Sequence, residues 1–205
     1  MSSEIHLSAP IALLILGVIL ALGAASLTFA PKLPDALLLR PFEFARGRRR
    51  WTFITGAFVH ADFAHLLFNS MSLWFFGPGL ERAIGSLRFA ALYAVGLLLS
   101  QVGTQRKHRD NPAYATLGAS GAIAAVLFAS IVYRPTERLF ILPIPFPIPA
   151  PLFGLGYLAY SAWSARQQRG QINHDAHLGG ALTGLLFVAL TDPRAYPRAL
   201  ALLAR

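Results

Sequence analysis

Long apolar stretches recur along the chain, and the segments between them carry most of the charged residues. Six of these stretches are predicted to form helices, over residues 8–30, 60–80, 87–104, 117–133, 152–164 and 174–190. A helix needs roughly 20 apolar residues to cross the hydrocarbon core of a bilayer. Of the 205 residues, 55% are hydrophobic and 13% are charged, whereas soluble domains carry about 25% charged residues. The sequence therefore predicts one all-α, polytopic membrane domain over residues 1–205, with six transmembrane helices.

The charge balance and the absence of cysteine narrow the possible partners. The chain has 18 Lys and Arg residues against 9 Asp and Glu, and because the basic residues lie between apolar stretches, anionic lipid headgroups explain them better than nucleic acid does. Without cysteine, disulfides, thiolate metal sites and a cysteine nucleophile are excluded. The histidines lack partners at metal-ligand spacing. We expect a multi-pass protein of the cell (inner) membrane with no metal or cofactor, and the oligomeric state is left open.

Three connecting segments have a distinctive composition. Residues 36–44 are apolar but too short to span a bilayer, so they are predicted to lie in the interface. Residues 51–58 fit the aromatic belt at the membrane surface. Between residues 143 and 151 every second residue is proline, and such a run cannot be helical because each proline lacks an N–H and restrains its predecessor. This segment is predicted to be an extended loop on or in the membrane.

Polar residues occur near the starts of the second, fourth and sixth predicted helices. They are the pair His65 and Asn69, the run Gly118-Ala119-Ser120-Gly121, and His177. In a serial bundle these three helices run in the same direction, so the three sites should lie at similar depth. Ionisable residues inside a membrane are costly, which makes them functional candidates.

The residue types at these sites suit nucleophilic catalysis. A serine hydroxyl needs a base to take its proton, and histidine is the usual base. Ser120 at a helix N-terminus would benefit from free backbone N–H groups and the helix dipole, and Gly118 and Gly121 would let a substrate approach. His65 and Asn69 are spaced i, i+4 and share a helix face. Both can donate hydrogen bonds, as an oxyanion hole requires.

Each site also has a purely structural explanation. A serine among small residues is ordinarily a packing contact, and a lone histidine often makes an interhelical hydrogen bond. Gly180 and Gly184 form a small-xxx-small pattern that packs helices closely whatever the function. Placing three polar sites at the same depth in a membrane nevertheless costs free energy that helix packing alone does not require. Their combination therefore favours catalysis.

The motifs, taken in order, resemble those of the rhomboid intramembrane serine proteases. The matching patterns are His60-x4-His65-x3-Asn69, Gly118-Ala119-Ser120-Gly121 and Ala176-His177-x2-Gly180-x3-Gly184, and the adjacent Glu81-Arg82 after the second helix resembles a Glu-x-Arg-type loop of the family. The resemblance covers about residues 51–190. It implies a six-helix rhomboid-like bundle.

The resemblance also implies roles for individual residues. Ser120 would be the nucleophile and His177 the general base of a dyad. His65, Asn69 and the backbone N–H of Ser120 would form the oxyanion hole, and His60 would be a structural or water-retaining residue at the top of the second helix. The fifth helix and its neighbouring loop would act as a lateral gate for a substrate helix. Substrates would be single-span membrane proteins, and no cofactor would be needed.

The sequence departs from the family pattern at two positions. Trp51 is followed by Thr52 where the family often has Trp-Arg, and Ala124 stands where an aromatic residue often stacks on the histidine. Either an aromatic residue from another helix takes this place, with Tyr93, Tyr157 and Tyr160 as the candidates, or His177 is held in a different way. Asp175, two residues before His177, projects to the opposite helix face, so no triad is predicted.

The basic residues conflict with the orientation that the resemblance implies. One side carries Lys32, Arg40, Arg46, Arg48, Arg49, Arg50, Arg106, Lys107, Arg109, Arg166 and Arg169, and the other carries Arg82, Arg88, Arg134, Arg138, Arg194, Arg198 and Arg205. The positive-inside rule would place the side of the polar sites in the cytoplasm. The resemblance implies cytoplasmic termini and an outward-facing site, and we follow the resemblance.

Two other functions compete with proteolysis. A catalytically inactive, rhomboid-like helix-binding module would normally lack the serine or the histidine, and Ser120 and His177 are both present. A small transporter or channel would use its polar residues to line a pathway. The chain has no detectable inverted repeat and no series of carboxylates, which argues against a transporter.

Overall fold

The computed structural model describes residues 9–140, 146–167 and 172–204, and this part of the chain is mostly helical. Within it, six helices have 14 residues or more. They are α1 (Pro10–Thr28), α5 (Phe63–Ile84), α6 (Ser86–His108), α7 (Ser120–Tyr133), α8 (Ala150–Gln167) and α9 (His174–Thr191). Each occupies one of the six predicted stretches. By length and apolar composition alone, α1 and α6 qualify as membrane spans, and α7 is a shorter apolar helix; that all six cross the bilayer stays a prediction.

Several helices begin or end a few residues away from the approximate bounds of the predicted spans. The second helix begins at Phe63 rather than at His60, because the Asp62 side chain caps it by accepting a hydrogen bond from the His65 backbone N–H at 2.7 Å. It continues through Pro78 to Ile84. The fourth helix begins at Ser120 and not at residue 117. The third runs on to His108 and the fifth to Gln167, beyond their predicted ends.

Helix α7 lies at the centre of the bundle. All but three of its 14 residues are buried, and most of the buried ones are small. It packs against α5, α6 and α9. A Cβ atom added to Gly180 of α9 would lie 1.9 Å from the Gly121 carbonyl oxygen, and one added to Gly184 would lie 2.2 Å from the Ala125 oxygen. The two glycines therefore allow backbone contact between α9 and α7 that no side chain would permit.

The first connecting segment folds into three short helices that brace the start of α7. These are α2 (Leu33–Leu37), α3 (Pro41–Ala45) and α4 (Thr52–Thr55), followed by a 3₁₀ turn over Gly56–Phe58. Between α2 and α3, Leu39 pairs with Thr116 through two backbone hydrogen bonds of 2.9 Å each. The Gly118 N–H donates to the Gly56 carbonyl at 2.8 Å. The segment that leads into Ser120 is thereby held on the first connecting segment.

The proline-rich segment is extended only in part. Residues 143–145 of the predicted loop lie outside the described residues. Strand β2 (Ile148–Pro149) pairs antiparallel with strand β1 (Arg138–Leu139). Helix α8 then begins at Ala150, so the prediction that the extended run reaches residue 151 is wrong: Pro151 lies in the first turn, where a helix tolerates proline. A further short helix, α10 (Ala195–Leu203), was not predicted.

Candidate active site

Ser120 is the first residue of α7, and its position depends on the glycine that precedes it by two residues. Gly118 has a φ of +104°, a backbone conformation that side-chain-bearing residues rarely adopt. Ala119 then occupies the N-cap position of α7 without a side-chain cap, so the hydroxyl of Ser120 lies at the helix N-terminus, as the sequence predicted. Unpaired N–H groups and the positive end of the helix dipole meet at this point.

His177 lies at the end of the first turn of α9 and contacts Ser120 directly. Its Nε2 atom is 2.7 Å from the Oγ atom of Ser120, within the range for a hydrogen bond that involves a hydroxyl group. Helices α7 and α9 contribute one residue each, and the close packing at Gly180 allows this approach. The structure therefore brings together the two residues for which the sequence predicts nucleophile and base roles.

His65 approaches the same end of α7 from helix α5. A Cβ atom at Gly118 would lie 2.6 Å from both Cε1 and Nε2 of His65, so the imidazole packs directly on this glycine. Asn69, one turn further along α5, is buried, and its Nδ2 donates to the His65 carbonyl at 2.9 Å. One of the two amide hydrogens of Asn69 is thus used within its own helix, and the other is available for a further bond.

His60 precedes α5 instead of forming its first residue. The side chain is fully buried, and its ring meets His65 edge-to-face at 5.0 Å. Burial, together with a smaller contribution from the neighbouring His65, lowers the pKa of His60 to about 4, and Asp62 opposes the shift. A Cβ atom at Gly23 of α1 would come within 3.2 Å of its Nδ1 atom. His60 is therefore wedged between α1 and His65, as an uncharged side chain at neutral pH.

The aromatic neighbour of His177 comes from α8. The ring of Tyr157 stacks on His177 with centroids 6.0 Å apart and planes at 23°. Tyr160 instead meets His174 edge-to-face at 5.3 Å, and Tyr93 is buried in the core cluster around α6. Among the three tyrosines that the sequence left open, the structure thus selects Tyr157.

Asp175 is turned away from the site. Its two carboxylate oxygens accept from the Lys107 Nζ at 2.9 and 3.2 Å, and His108 is 3.8 Å away. These partners lie at the end of α6. Asp175 does not orient His177 as the third member of a triad, in agreement with the spacing argument.

Sequence reasoning missed Asn173, the residue that caps α9. Its Oδ1 atom accepts from the Ala176 N–H at 3.0 Å and from the Thr104 hydroxyl at 2.9 Å. The signal available in the sequence was an asparagine directly before an apolar helical stretch, a common N-cap residue. Among the described residues, no three histidine, aspartate or glutamate side chains converge as a metal site would require.

Comparison with known proteins identifies the family of this fold. The family model of the rhomboid domain matches residues 47–194, which is more than half of the chain. RHOMBOID-like protein 12, mitochondrial, of Arabidopsis thaliana is 32% identical over 68% of this chain and 45% of its own length. Rhomboid protease AarA of Providencia stuartii is 29% identical over 66% of this chain and 54% of its own. The human presenilin-associated rhomboid-like protein, mitochondrial, is 33% identical over 66% of this chain and 36% of its own.

The match covers the helices that carry the polar site and only about half or less of each relative's length. The resemblance to rhomboid proteins that the motifs indicated is confirmed, and with it the prediction of a membrane-embedded helical bundle. The chain belongs to the rhomboid family.

Proposed function

We propose that the protein is an intramembrane serine endopeptidase in which Ser120 is the nucleophile and His177 the general base. The observation that carries this proposal is the 2.7 Å contact between His177 Nε2 and Ser120 Oγ. The family includes serine intramembrane proteases, and the relative from Providencia stuartii bears the name rhomboid protease. A histidine in hydrogen-bond contact with a serine is the arrangement that activates the hydroxyl.

The first chemical step would form an acyl-enzyme. As Ser120 Oγ attacks the scissile carbonyl carbon, its proton passes to His177 Nε2, and the carbonyl oxygen becomes an oxyanion. Collapse of the tetrahedral intermediate breaks the C–N bond, and His177 returns the proton to the leaving amine. A water molecule then attacks the ester carbonyl as His177 accepts its proton. The bond from the carbonyl carbon to Ser120 Oγ breaks, His177 returns the proton to Oγ, and the second product leaves as a carboxylic acid. No metal or cofactor takes part in these steps.

The oxyanion would be stabilised by three donors, the Ser120 backbone N–H, His65 and Asn69. The Ser120 N–H is the first of α7 and has no acceptor within the helix. His65 packs on Gly118, two residues before the nucleophile, and Asn69 has one amide hydrogen left over. Removing a single such donor typically lowers kcat by about 10²- to 10³-fold.

The substrates we propose are single-span membrane proteins, which reach the site sideways past α8. Part of this helix is exposed, and Leu152, Leu155 and Trp163 are each more than half exposed. It also carries Tyr157, which touches the general base. We place the protein in the cell inner membrane, as one domain with six spanning helices and the site open to the outer face.

The decisive experiment compares wild type with Ser120→Ala on a single-span model substrate in liposomes. Wild type should cut, and the variant should lose cleavage by at least about 10⁴-fold, since the nucleophile is gone. Both proteins should unfold at the same temperature, because the serine side chain forms little of the core. Cleavage at the same bond by Ser120→Ala would refute the dyad, and flux of ions through either protein would instead favour a channel.

The Tyr157 ring offers a separate prediction on the same reaction. Tyr157→Ala should lower kcat by about 3- to 10-fold, the kinetic equivalent of one aromatic contact, because the imidazole of His177 loses the ring that restrains it. Tyr157→Phe keeps the ring and should retain activity. Tyr160→Ala, on the same helix but against His174, is the matched control. Equal losses in Tyr157→Phe and Tyr157→Ala would show that the hydroxyl matters instead of the stacking.

A further inference from the structure

The side chain of Asn173 joins three separate parts of the bundle. Its Oδ1 accepts from the Ala176 N–H of α9 and from the Thr104 hydroxyl of α6. Its Nδ2 donates to the Thr116 hydroxyl at 3.0 Å. One amide therefore connects the first turn of α9, the end of α6 and the segment that leads into α7.

Two of these connections, the ones to α9 and to Thr116, each bear on one member of the Ser120–His177 pair. His177 lies four residues after Asn173, and its backbone N–H donates to the Asn173 carbonyl at 3.2 Å. Thr116 lies four residues before Ser120 and is fixed by its two backbone bonds to Leu39. The bond between Asn173 and Thr116 is thus a direct link between the two segments that carry nucleophile and base.

Helix capping alone would not require this arrangement. A cap needs only one side-chain oxygen toward the N–H of Ala176, and serine caps about as well as asparagine. Thr104 is fully buried and Thr116 is only 9% exposed. A partner that failed to bond Thr104 would leave a buried hydroxyl unpaired, and one that failed to bond Thr116 would leave that hydroxyl with Tyr114 as its side-chain partner. The asparagine amide satisfies the cap and both hydroxyls together.

We propose that Asn173, through its bond to Thr116, is a positioning residue that holds His177 at hydrogen-bonding distance from Ser120. The proposal rests on the proposed function of the same site. The close contact at Gly180 sets the spacing of α9 and α7 along the bundle. The Asn173–Thr116 bond fixes the remaining freedom, the tilt of the first turn of α9 relative to the start of α7.

The test distinguishes the capping of α9 by Asn173 from the hydrogen bond between Asn173 and Thr116. Asn173→Ser keeps an oxygen for Ala176 and is too short to reach Thr116, whereas Thr116→Val removes the acceptor and preserves the shape of the side chain. Both should lower kcat by about 10- to 100-fold with little change in KM, the scale expected when catalytic groups are displaced by about 1 Å. The double variant should be no worse than Asn173→Ser alone, because both changes break the same bond.

Two control variants remove neighbouring hydroxyls but leave the link intact. Thr104→Val deletes the other side-chain bond to Asn173, and Tyr114→Phe deletes a hydrogen bond that Tyr114 shares with Thr116. Both should keep kcat within about 3-fold of wild type, although Thr104→Val loses a buried hydrogen bond of ordinary strength. The proposal would be overturned if kcat fell in proportion to the unfolding temperature across all four variants, or if the losses of kcat added up in the double variant. Either result would mean that Asn173 is only a structural cap.

A spectroscopic measurement makes the test independent of cleavage. In protein labelled with ¹⁵N-histidine, the Nε2 shift of His177 reports its bond to Ser120, and Ser120→Ala supplies the reference for the broken bond. Asn173→Ser and Thr116→Val should move the shift toward that reference, and Thr104→Val should not. If wild type and Ser120→Ala cut equally, the proposed function fails while this shift still decides the positioning role. An unchanged shift in Asn173→Ser would refute it.

Discussion

Alanine in place of Gly180 is expected to abolish cleavage and to lower the free energy of unfolding by at least about 3 kcal/mol. The added Cβ atom would lie 1.9 Å from the carbonyl oxygen of Gly121 and 2.9 Å from its carbonyl carbon. These are backbone atoms at the start of the central helix, so no side-chain rotation can relieve the clash. Helix α9 must move away from α7, and His177 moves with it. Because Gly121 directly follows Ser120, the displacement occurs at the Ser120–His177 pair itself.

The matched control for Gly180→Ala is the same substitution at a glycine that has no close neighbours, in another long helix. A Cβ atom added to Gly17 in α1 would meet no atom within 4 Å, and Gly17→Ala should leave cleavage unchanged and stabilise the helix by up to about 1 kcal/mol. Thermal unfolding in detergent gives the stability, and cleavage in liposomes gives the activity. If Gly180→Ala unfolded at the wild-type temperature and still cut, the packing of α9 on α7 would not determine the geometry of the site.

The similar depth of Ser120 and His177 could be anticipated because it needs only the direction of the helices, whereas their pairing was implied by the resemblance to the rhomboid family. Both residues lie near the N-terminal ends of their helices, α7 and α9, and in a serial bundle these two run the same way. Depth in the membrane then follows from position along the chain. The sequence pattern of Gly180 and Gly184 also indicated close packing, although it did not identify the partner as the backbone of α7.

The aromatic contact on His177 could not be predicted, because it depends on the rotation of α8 about its own axis. Tyr157 and Tyr160 lie three residues apart on neighbouring faces, and the sequence does not say which face meets α9. The structure assigns Tyr157 to His177 and Tyr160 to His174. The same limit applies to Asn173, whose capping role has a local signal but whose partner Thr116 lies 57 positions away in sequence.

Glu81 lies in a helix and not in the loop that the resemblance suggested. The second helix is predicted to end near residue 80, and Glu81-Arg82 after it is predicted to resemble a loop of the rhomboid family. In the structure, α5 continues to Ile84 and ends only where Gly85 adopts a φ of +83°. Glu81 is thus a helical residue, and with 1% of its surface exposed it is buried in the bundle. A carboxylate in that position needs partners, which come from α1 and α6.

The carboxylate of Glu81 caps the N-terminus of α1. Its Oε1 accepts from the Ile11 N–H at 3.1 Å and from the Ser86 hydroxyl at 2.6 Å, and its Oε2 accepts from the Ala12 N–H at 2.7 Å. Since Pro10 has no N–H, these are the first two backbone donors of α1, and neither has an acceptor within the helix. The negative charge also faces the positive end of the helix dipole. One side chain therefore fastens α1 to the turn between α5 and α6.

Glu81→Ala is therefore expected to lower the free energy of unfolding by about 3 kcal/mol, because it removes the acceptor of one buried and one partly buried backbone N–H group and of a partly buried hydroxyl. Glu81→Gln keeps one acceptor oxygen and should lose less, and Ser86→Ala, which removes a single donor, should cost about 1 kcal/mol. Asp110→Ala removes an acid whose side chain is 77% exposed, and its unfolding temperature should match that of wild type. Equal unfolding temperatures for Glu81→Ala and Asp110→Ala would mean that α1 is held by apolar packing alone. Unfolding free energies that fall progressively from Ser86→Ala to Glu81→Ala would instead show that the N-terminus of α1 depends on a carboxylate supplied by α5.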